Sequence, residues 1–327
     1  MWKILLLNFL LLTFLSCETQ KPPKSTFNGI AMTMPYSITV GHPLDEEEKY
    51  LIQETIDKTF EQINIIYNNW NPNSEISKLN SLPANKRIKL SRELYEIFQL
   101  TDYIHTLSAG RFDPTVEPLK KLWLSYMENH TLPPKESIEE TLSYCGWNHI
   151  HFDNGSFYKD HSFTHIDLGG IAKGLCVDLL TEAIQNIGYQ NILVDWGSEL
   201  KAHGEHPEKR PWMIAIRHPY QAEQALAHIP LQDEAIATSG DYMQQWGAII
   251  DETHSQVFTH IINPFTGCPL SNQAVKSASV QAPTCALADG LATAAMIFET
   301  AEEAQDWAQK LQNENHQLSF WLLSPDE

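Results

Sequence analysis

Asp167-Leu168-Gly169-Gly170-Ile171-Ala172-Lys173-Gly174, with Phe163-Thr164-His165-Ile166 directly before it, is the stretch around which the rest of this chain is read. Phe163 to Ile166 reads as a strand, and a helix follows the loop. Paired glycines between a strand and a helix let the backbone approach a ligand closely. The free N–H groups and positive end of the following helix favour an anion such as a diphosphate, and Lys173 adds a countercharge. The pattern is neither a GxGxxG nor a Walker A loop, so those nucleotide motifs do not account for it. A tight turn with no ligand is the alternative.

Around this loop, helix and strand signals alternate irregularly. An opening strand, 29–40, leads to Pro43 and Asp45. Asp45 with Glu48 forms a capping-box start, and Ile52, Ile56, Ile63 and Ile66 recur at helical spacing. A second amphipathic helix follows Ser91, with Leu94, Ile97, Phe98 and Ile104 apolar. Ile192-Leu193-Val194 and Trp212-Met213-Ile214-Ala215-Ile216 read as strands. A last helix begins at Thr300, with Glu303 three residues on, and carries Ala304, Trp307, Ala308 and Leu311. No repeat or low-complexity linker divides the chain. The mixture lacks a strict βαβ rhythm, which predicts an α+β fold.

The N-terminus has a different character. Lys3 is followed by an unbroken apolar run from Ile4 to Leu15, too short for a spanning helix, which needs about 20 residues. It has the length of a signal-peptide core and ends in Ser16-Cys17. Phe14-Leu15-Ser16-Cys17 resembles a bacterial lipobox, whose cysteine is acylated and becomes the new N-terminus. Leu is preferred where Phe14 stands, and a small residue where Leu15 stands. An ordinary secretory signal is the alternative. The reading is a signal peptide over 1–16, a lipid-anchored tether over 17–26 from Cys17 onward, and a folded domain over 27–327. The polar, Pro- and Lys-containing stretch after Cys17 is extended and solvated rather than packed.

Composition narrows the function classes. With 43% hydrophobic and 10% aromatic residues the chain can bury a core, which excludes disorder. Its 22 basic against 41 acidic residues give a formal charge of −19, which repels nucleic acid and anionic lipid. A bound dinucleotide would therefore need a cation or backbone N–H groups. Cys145, Cys176, Cys268 and Cys285 are scattered with no CxxC pair, so they read as buried thiols or one disulfide, not a zinc site.

Three further segments carry candidate chemistry. In Ala286-Leu287-Ala288-Asp289-Gly290-Leu291-Ala292-Thr293-Ala294-Ala295-Met296 the alanines and leucines argue helix. Asp289 and Thr293, four apart, share one face, with Asp289 read as an exposed helical carboxylate. A carboxylate beside a hydroxyl suits magnesium. On spacing alone an N-terminal cap, with Thr293 bonding back to a carbonyl, is the simpler reading. Thr259-His260-Ile261-Ile262-Asn263-Pro264-Phe265-Thr266-Gly267-Cys268-Pro269 is a strand running into a Pro/Gly turn. His260 is the only one of the 14 histidines placed immediately before such a strand-turn. A lone histidine is usually structural. Ala237-Thr238-Ser239-Gly240-Asp241-Tyr242 reads as a small-residue turn, or as a plain hairpin.

Taken together in chain order, the four segments resemble the ApbE-type FAD:protein FMN transferases. That family's pattern has a D-L-G-G-I-A-K-G loop, an A-T-S-G turn, an H-I-[ID]-P-x-T-G segment and an A-D-A-L-[SA]-T-A helix. Here these stand at 167–174, 237–240, 260–267 and 288–294. Gly110-Arg111-Phe112-Asp113-Pro114-Thr115-Val116 with Leu122-Trp123, and Trp70-Asn71-Pro72-Asn73-Ser74, match as well. Three positions depart from the pattern. The opening M-G-T reads Met32-Thr33-Met34, the G-G-[ND] turn reads Gly197-Ser198-Glu199, and Asn263 replaces the aspartate of H-I-I-D-P.

The resemblance implies a T-fold-like catalytic domain of two intimate lobes, an α+β architecture. It implies flavin contacts at Met32, Trp70, Arg111, Phe112, Asp113, Asp167, Lys173 and Ile262. Trp70 and Phe112 can stack on a flat ring system. It also implies Mg2+ on Asp289, Thr293 and a backbone carbonyl near Gly170. FAD, the substrate, is split between its phosphorus atoms, AMP leaves, and FMN passes to a threonine or serine of an exported redox subunit such as a sodium-pumping quinone reductase. Such phosphoryl transfer needs charge neutralisation and in-line placement more than covalent help. His260 is the candidate base, since an imidazole titrates in the useful range. The expected location is the cell envelope, lipid-anchored on the periplasmic side of a bacterial membrane. Two alternatives remain: an FAD pyrophosphatase giving FMN and AMP, and a non-enzymatic FAD-binding lipoprotein. A binder has no use for Asp289, Thr293 and His260, so their joint presence favours an enzyme.

Overall fold

Local capping signals set the helix starts. Asp45 opens α1 (Glu46–Ile66): its carboxylate accepts from the Glu48 N–H at 2.9 Å, and Glu48 accepts from the Asp45 N–H at 2.9 Å. Ser91 caps α2 (Arg92–Leu107), and Thr300 caps the last helix, Ala301–Glu314. Between them lie α3 (Glu117–Met127), α4 (Ala172–Asn186) and α5 (Cys285–Ala295). The computed structural model describes residues 24–241, 245–249, 255–271 and 274–325. The expected signal peptide at 1–16 and lipidation site Cys17 lie outside the described residues. Among those residues no helix is long and apolar enough to cross a membrane.

Seven strands form the main sheet, and their order in space is their order in the chain: β1 (Ser25–Ala31), β2 (Met34–Val40), β3 (Ile192–Trp196), β4 (Glu199–His203), β5 (Ala235–Gly240), β6 (Ser277–Ala282) and β7 (Ser319–Leu323). Every neighbouring pair is antiparallel, which is the α+β arrangement expected. The ladder begins at Ser25, two residues before the domain boundary drawn from sequence. One face carries the helices. Strand β3 alternates buried Ile192, Val194 and Trp196 toward them. Helix α5 lies on β5 and β6, α4 packs on α5, β3 and β4, and α1 packs on α4. The other face, with Leu193, Leu200, Ala202 and Ile236, is covered by the hairpin Trp212–His218/Gln221–Leu231 through Trp212, Ile216, Ile229 and Leu231.

Three local expectations are corrected. The opening segment 29–40 is two strands, because Met32 and Thr33 take φ of +46° and +69° and turn the chain so that Ala31 pairs with Met34. The segment 237–240 is not a turn but the end of β5, bonded to β6. Its small Ala237 is buried where α5 crosses the strand. Phe163–Ile166 belongs to no ladder. Instead the Asn80 side chain accepts from the Ile166 N–H and donates to the Ile166 carbonyl, both at 2.8 Å, and Asn69 Nδ2 donates to the same carbonyl at 2.5 Å. Two side-chain amides thus supply what a neighbouring strand would supply.

Lys159 fastens the same segment from below. Its buried ammonium donates to the carbonyls of Asn80 at 2.7 Å, Ser162 at 3.0 Å and Thr164 at 2.7 Å. Burial pushes its pKa down to about 8, so it remains a cation at neutral pH. Cys145, Cys176, Cys268 and Cys285 are free thiols, which settles the disulfide alternative for these residues.

Candidate active site

The loop 167–174 and helix α5 meet where α4 and α5 cap each other. Ile171, at the N-cap of α4, offers no side-chain acceptor. The N–H of Gly174 in the first turn of α4 donates to Asp289 Oδ2 of α5 at 3.0 Å. In return Asp178 of α4 accepts from the Cys285 and Ala286 N–H groups of α5 at 3.0 and 2.9 Å. Each helix places a carboxylate at the positive end of the other. Contact this close depends on Gly174: a Cβ there would stand 2.3 Å from the Cys285 carbonyl oxygen.

Asp289 is therefore not an exposed helical carboxylate, as the sequence suggested. It is 3% exposed, in a helix whose residues are all buried except Thr293. Nor does it cap its own helix, since Thr284 caps α5 by accepting from the Leu287 N–H at 3.3 Å. Burial raises the Asp289 pKa above its ordinary range, while Lys173 and the Gly174 N–H work in the opposite direction. One helical turn on, the Thr293 hydroxyl lies 3.0 Å from where a Gly170 Cβ would be and 3.3 Å from Ser239 Oγ. A carboxylate, two hydroxyls and the Gly170 backbone are hard oxygen donors that suit magnesium more than zinc. Among the described residues no group of three or more His, Cys, Asp or Glu side chains could hold a metal. A cation here would rest on one carboxylate, neutral oxygens and the substrate's own phosphates, which is how magnesium is commonly held.

Charge completes the picture. Lys173 Nζ pairs with Glu199 Oε1 at the start of β4, and Glu199 is 0% exposed. Burial, reinforced by Asp289, pushes the Glu199 pKa up to about 8 against the pull of Lys173. Burial works against charge on Lys173, yet Glu199 and Asp289 hold its pKa above the usual lysine value. Two buried carboxylates thus face one ammonium beside the loop 167–174.

The other residues predicted from sequence fall at definite places around this centre. Asp167 accepts from the Gly169 N–H at 2.8 Å and from Lys120 Nζ at 3.1 Å, so it shapes the loop. Phe112 is buried under the loop, its Cε2 3.2 Å from the Gly170 Cβ position. Asp113 accepts from the Thr115 N–H at 2.8 Å and the Trp147 N–H at 2.9 Å. The Arg111 guanidinium lies 3.9 Å over the Phe298 ring. Trp70 is 83% exposed, next in the chain to Asn69, whose Oδ1 accepts from the Leu168 N–H at 3.3 Å. Met32 and Asn68 line a 520 Å³ cleft with Tyr36 and Phe60, and Asn68 Oδ1 accepts from the Trp70 N–H at 2.9 Å.

The loop after the strand Ser255–Thr259 carries His260, which is half-buried, and Ile262, which is buried with Trp123 and Phe258. Asn263 Oδ1 accepts from the Phe265 N–H at 2.9 Å, and Trp123 Nε1 donates to the Gly267 carbonyl at 2.8 Å. The amide oxygen of Asn263 closes this turn without a carboxylate, which accounts for the tolerated departure there. Phe265 reaches back to within 3.6 Å of the Gly110 Cβ position, joining this loop to the Arg111 segment. Sequence reading assigned no role to Asp178, Ser239 or Lys120, and noted Glu199 only as a departure. Their partners lie 107, 54, 47 and 26 residues away, beyond any local spacing signal.

An antiparallel sheet backed by cross-capped helices, with an anion-shaped loop against buried oxygen donors, defines a phosphoryl-handling α+β domain. The chain belongs to the ApbE family, whose sequence pattern matches residues 32–318. It is 40% identical to the FAD:protein FMN transferase of Chlamydia pneumoniae over 95% of this chain and 96% of that one. Among solved structures, the flavin transferase ApbE from Vibrio cholerae superposes with a TM-score of 0.77 at 27% identity, covering 92% of this chain and 94% of the other. The ApbE protein from Thermotoga maritima gives 0.79 at 25% identity, covering 93% and 95%.

The geometry at Asp289 makes a stability prediction. Asp289→Ala strands the buried Gly174 N–H, a loss of about 1–3 kcal/mol, whereas Asp289→Asn retains an acceptor and removes a buried charge. Thermal unfolding without metal should rank Asn at or above wild type and Ala clearly below both. Equal stability of Ala and Asn would mean that the bond to Gly174 contributes nothing.

Proposed function

We propose that this protein transfers FMN from FAD onto a threonine or serine hydroxyl of an exported redox subunit, releasing AMP, with magnesium as its cofactor. The observation that carries the reading is the charge imbalance at the loop: buried Asp289 and Glu199 against the single ammonium of Lys173. A bare diphosphate approaching this loop meets no net positive charge, because the Lys173 ammonium is already paired with Glu199, so its neutralisation calls for a cation. Asp289, Thr293 and the Gly170 backbone are the groups that would hold magnesium. Bound there, it would neutralise the phosphoryl oxygens as the transition state forms.

The chain's own residues divide the remaining work. Lys173 and the N-terminus of α4 attract the diphosphate, and Trp70 offers an exposed aromatic face on which the flavin can stack. His260 takes the proton from the acceptor hydroxyl. Its oxygen then bonds to the phosphorus of the FMN half as the bond to the AMP oxygen breaks, and AMP carries off that electron pair. The curated relatives' name supports both the donor and the use of a protein acceptor. The leader supports placement of the enzyme at the periplasmic side of a bacterial membrane, held by lipid on Cys17.

Purified protein mixed with FAD, Mg2+ and an acceptor peptide should add a flavin-sized mass to the peptide and release AMP, and EDTA should stop both. Replacing the peptide's threonine by alanine should remove the covalent flavin. AMP released as fast without acceptor as with it would turn the reading to an FAD pyrophosphatase, and no AMP under either condition to a carrier. His260→Ala should bind FAD nearly as well as wild type while transfer slows about 10²–10⁴-fold. An unchanged rate would remove His260 from the mechanism.

Anchoring is tested separately. Labelled palmitate fed to cells should enter the wild-type protein and not Cys17→Ser, and equal labelling of the two would refute the lipid anchor.

A further inference from the structure

The Gly197-Ser198 turn holds an arrangement that the transfer chemistry above leaves unused. These two residues join β3 to β4 with φ of +69° and +87°, so that Trp196 pairs with Glu199. The second is a serine held in a region that glycine occupies without strain. The turn delivers Glu199, the first residue of β4, beneath the helix layer, where it is wholly buried. Oε1 receives Lys173, while Oε2 is buried with no hydrogen-bond partner. Fold stability alone does not account for this. A buried ion pair barely offsets its own desolvation, and an orphaned carboxylate oxygen adds to the cost.

The charges nearby suggest what the arrangement does. Lys173 pairs with Glu199, and the N–H of its chain neighbour Gly174 donates to Asp289, so both carboxylates lie beside this stretch of α4. Its flexible stem would let the ammonium turn to either carboxylate. An ammonium settled on Asp289 would compete with any divalent cation for the same oxygens. Paired with Glu199, it keeps its charge beside the loop but is tied to the sheet through the first residue of β4.

We propose that Glu199 is a positioning residue: it holds Lys173 off Asp289 and so leaves the Asp289 carboxylate open to a divalent cation. This rests on the metal reading of Asp289 given above. Glu199 touches neither substrate nor cation in this role and acts only through Lys173.

The test is direct binding of Mn2+, read by electron paramagnetic resonance, on the full chain without FAD. Glu199→Gln, which keeps the shape of the side chain, should weaken Mn2+ binding about 10–100-fold, the range seen when a group supporting a metal ligand is lost. Lys173→Met should bind Mn2+ at least as tightly as wild type, because the competing ammonium is gone. In the Lys173→Met background, adding Glu199→Gln should change the affinity less than about twofold, within the range expected for uncoupled sites. A simple loss of negative field would weaken binding equally in both backgrounds, and that result would overturn the proposal. So would a Glu199→Gln protein that binds Mn2+ like wild type. If Glu199→Gln fails to fold, the Lys173→Met measurement decides alone, and weaker binding there contradicts the proposal. Wild-type protein that binds no Mn2+ would overturn the metal reading and this inference together. Loss of the Glu199 effect with wild-type binding intact would overturn this inference alone.

Discussion

The mutual capping of α4 and α5 is the interaction on which the site depends. Asp178 closes the start of α5 and Asp289 closes the start of α4, each across the gap that Gly174 keeps narrow. A helix end buried without partners for its N–H groups is costly, so neither helix can retreat without exposing the other's defect. Lys201 Nζ, 2.6 Å from Asp178 Oδ1, ties the same junction to β4. Because Asp289 is fixed by this contact, Thr293 one turn later is fixed against Gly170, and both face the loop that carries Lys173. The structural role of Asp289 is set by the oxygen that accepts from Gly174, which leaves its other oxygen for the cation proposed above.

The electrostatics follow from the same crowding. A chain with formal charge −19 sets the loop 167–174 next to two buried carboxylates. Under the proposed function, that arrangement disfavours a free anion and favours an anion that arrives with a cation. Lys173 stands between the two carboxylates and is paired with Glu199. The support of the loop on its other side comes from amides and carbonyls: Asn69 and Asn80 grip Ile166, and the buried Lys159 ammonium is solvated by three carbonyl dipoles.

Much of this was legible in the sequence where the signal is local. The starts of α1, α2 and the last helix were read from Asp45, Ser91 and Thr300 because a cap and the N–H that donates to it lie within one turn. The four motifs were legible as a set, and three of them meet where Thr293 lies against Gly170 and Ser239. What stayed hidden depended on distant partners. Nothing near Ile166 announces that Asn80, 86 residues earlier, satisfies its backbone. Glu199 looked like an imperfect turn until Lys173 was found beside it. Asp289 was misjudged for a different reason. A run of alanines and leucines with no polar face is itself the mark of a helix buried all round, and reading the carboxylate as exposed ignored that.

The most direct test of the junction's role is cation binding by Gly174→Ala. The added methyl group would meet the Cys285 carbonyl and push α4 from α5. If the cross-capped junction builds the site, far-UV circular dichroism should show the helices and sheet retained, while Mn2+ affinity falls at least about tenfold, as when a ligand loses its support. Wild-type affinity in a folded Gly174→Ala protein would contradict that dependence.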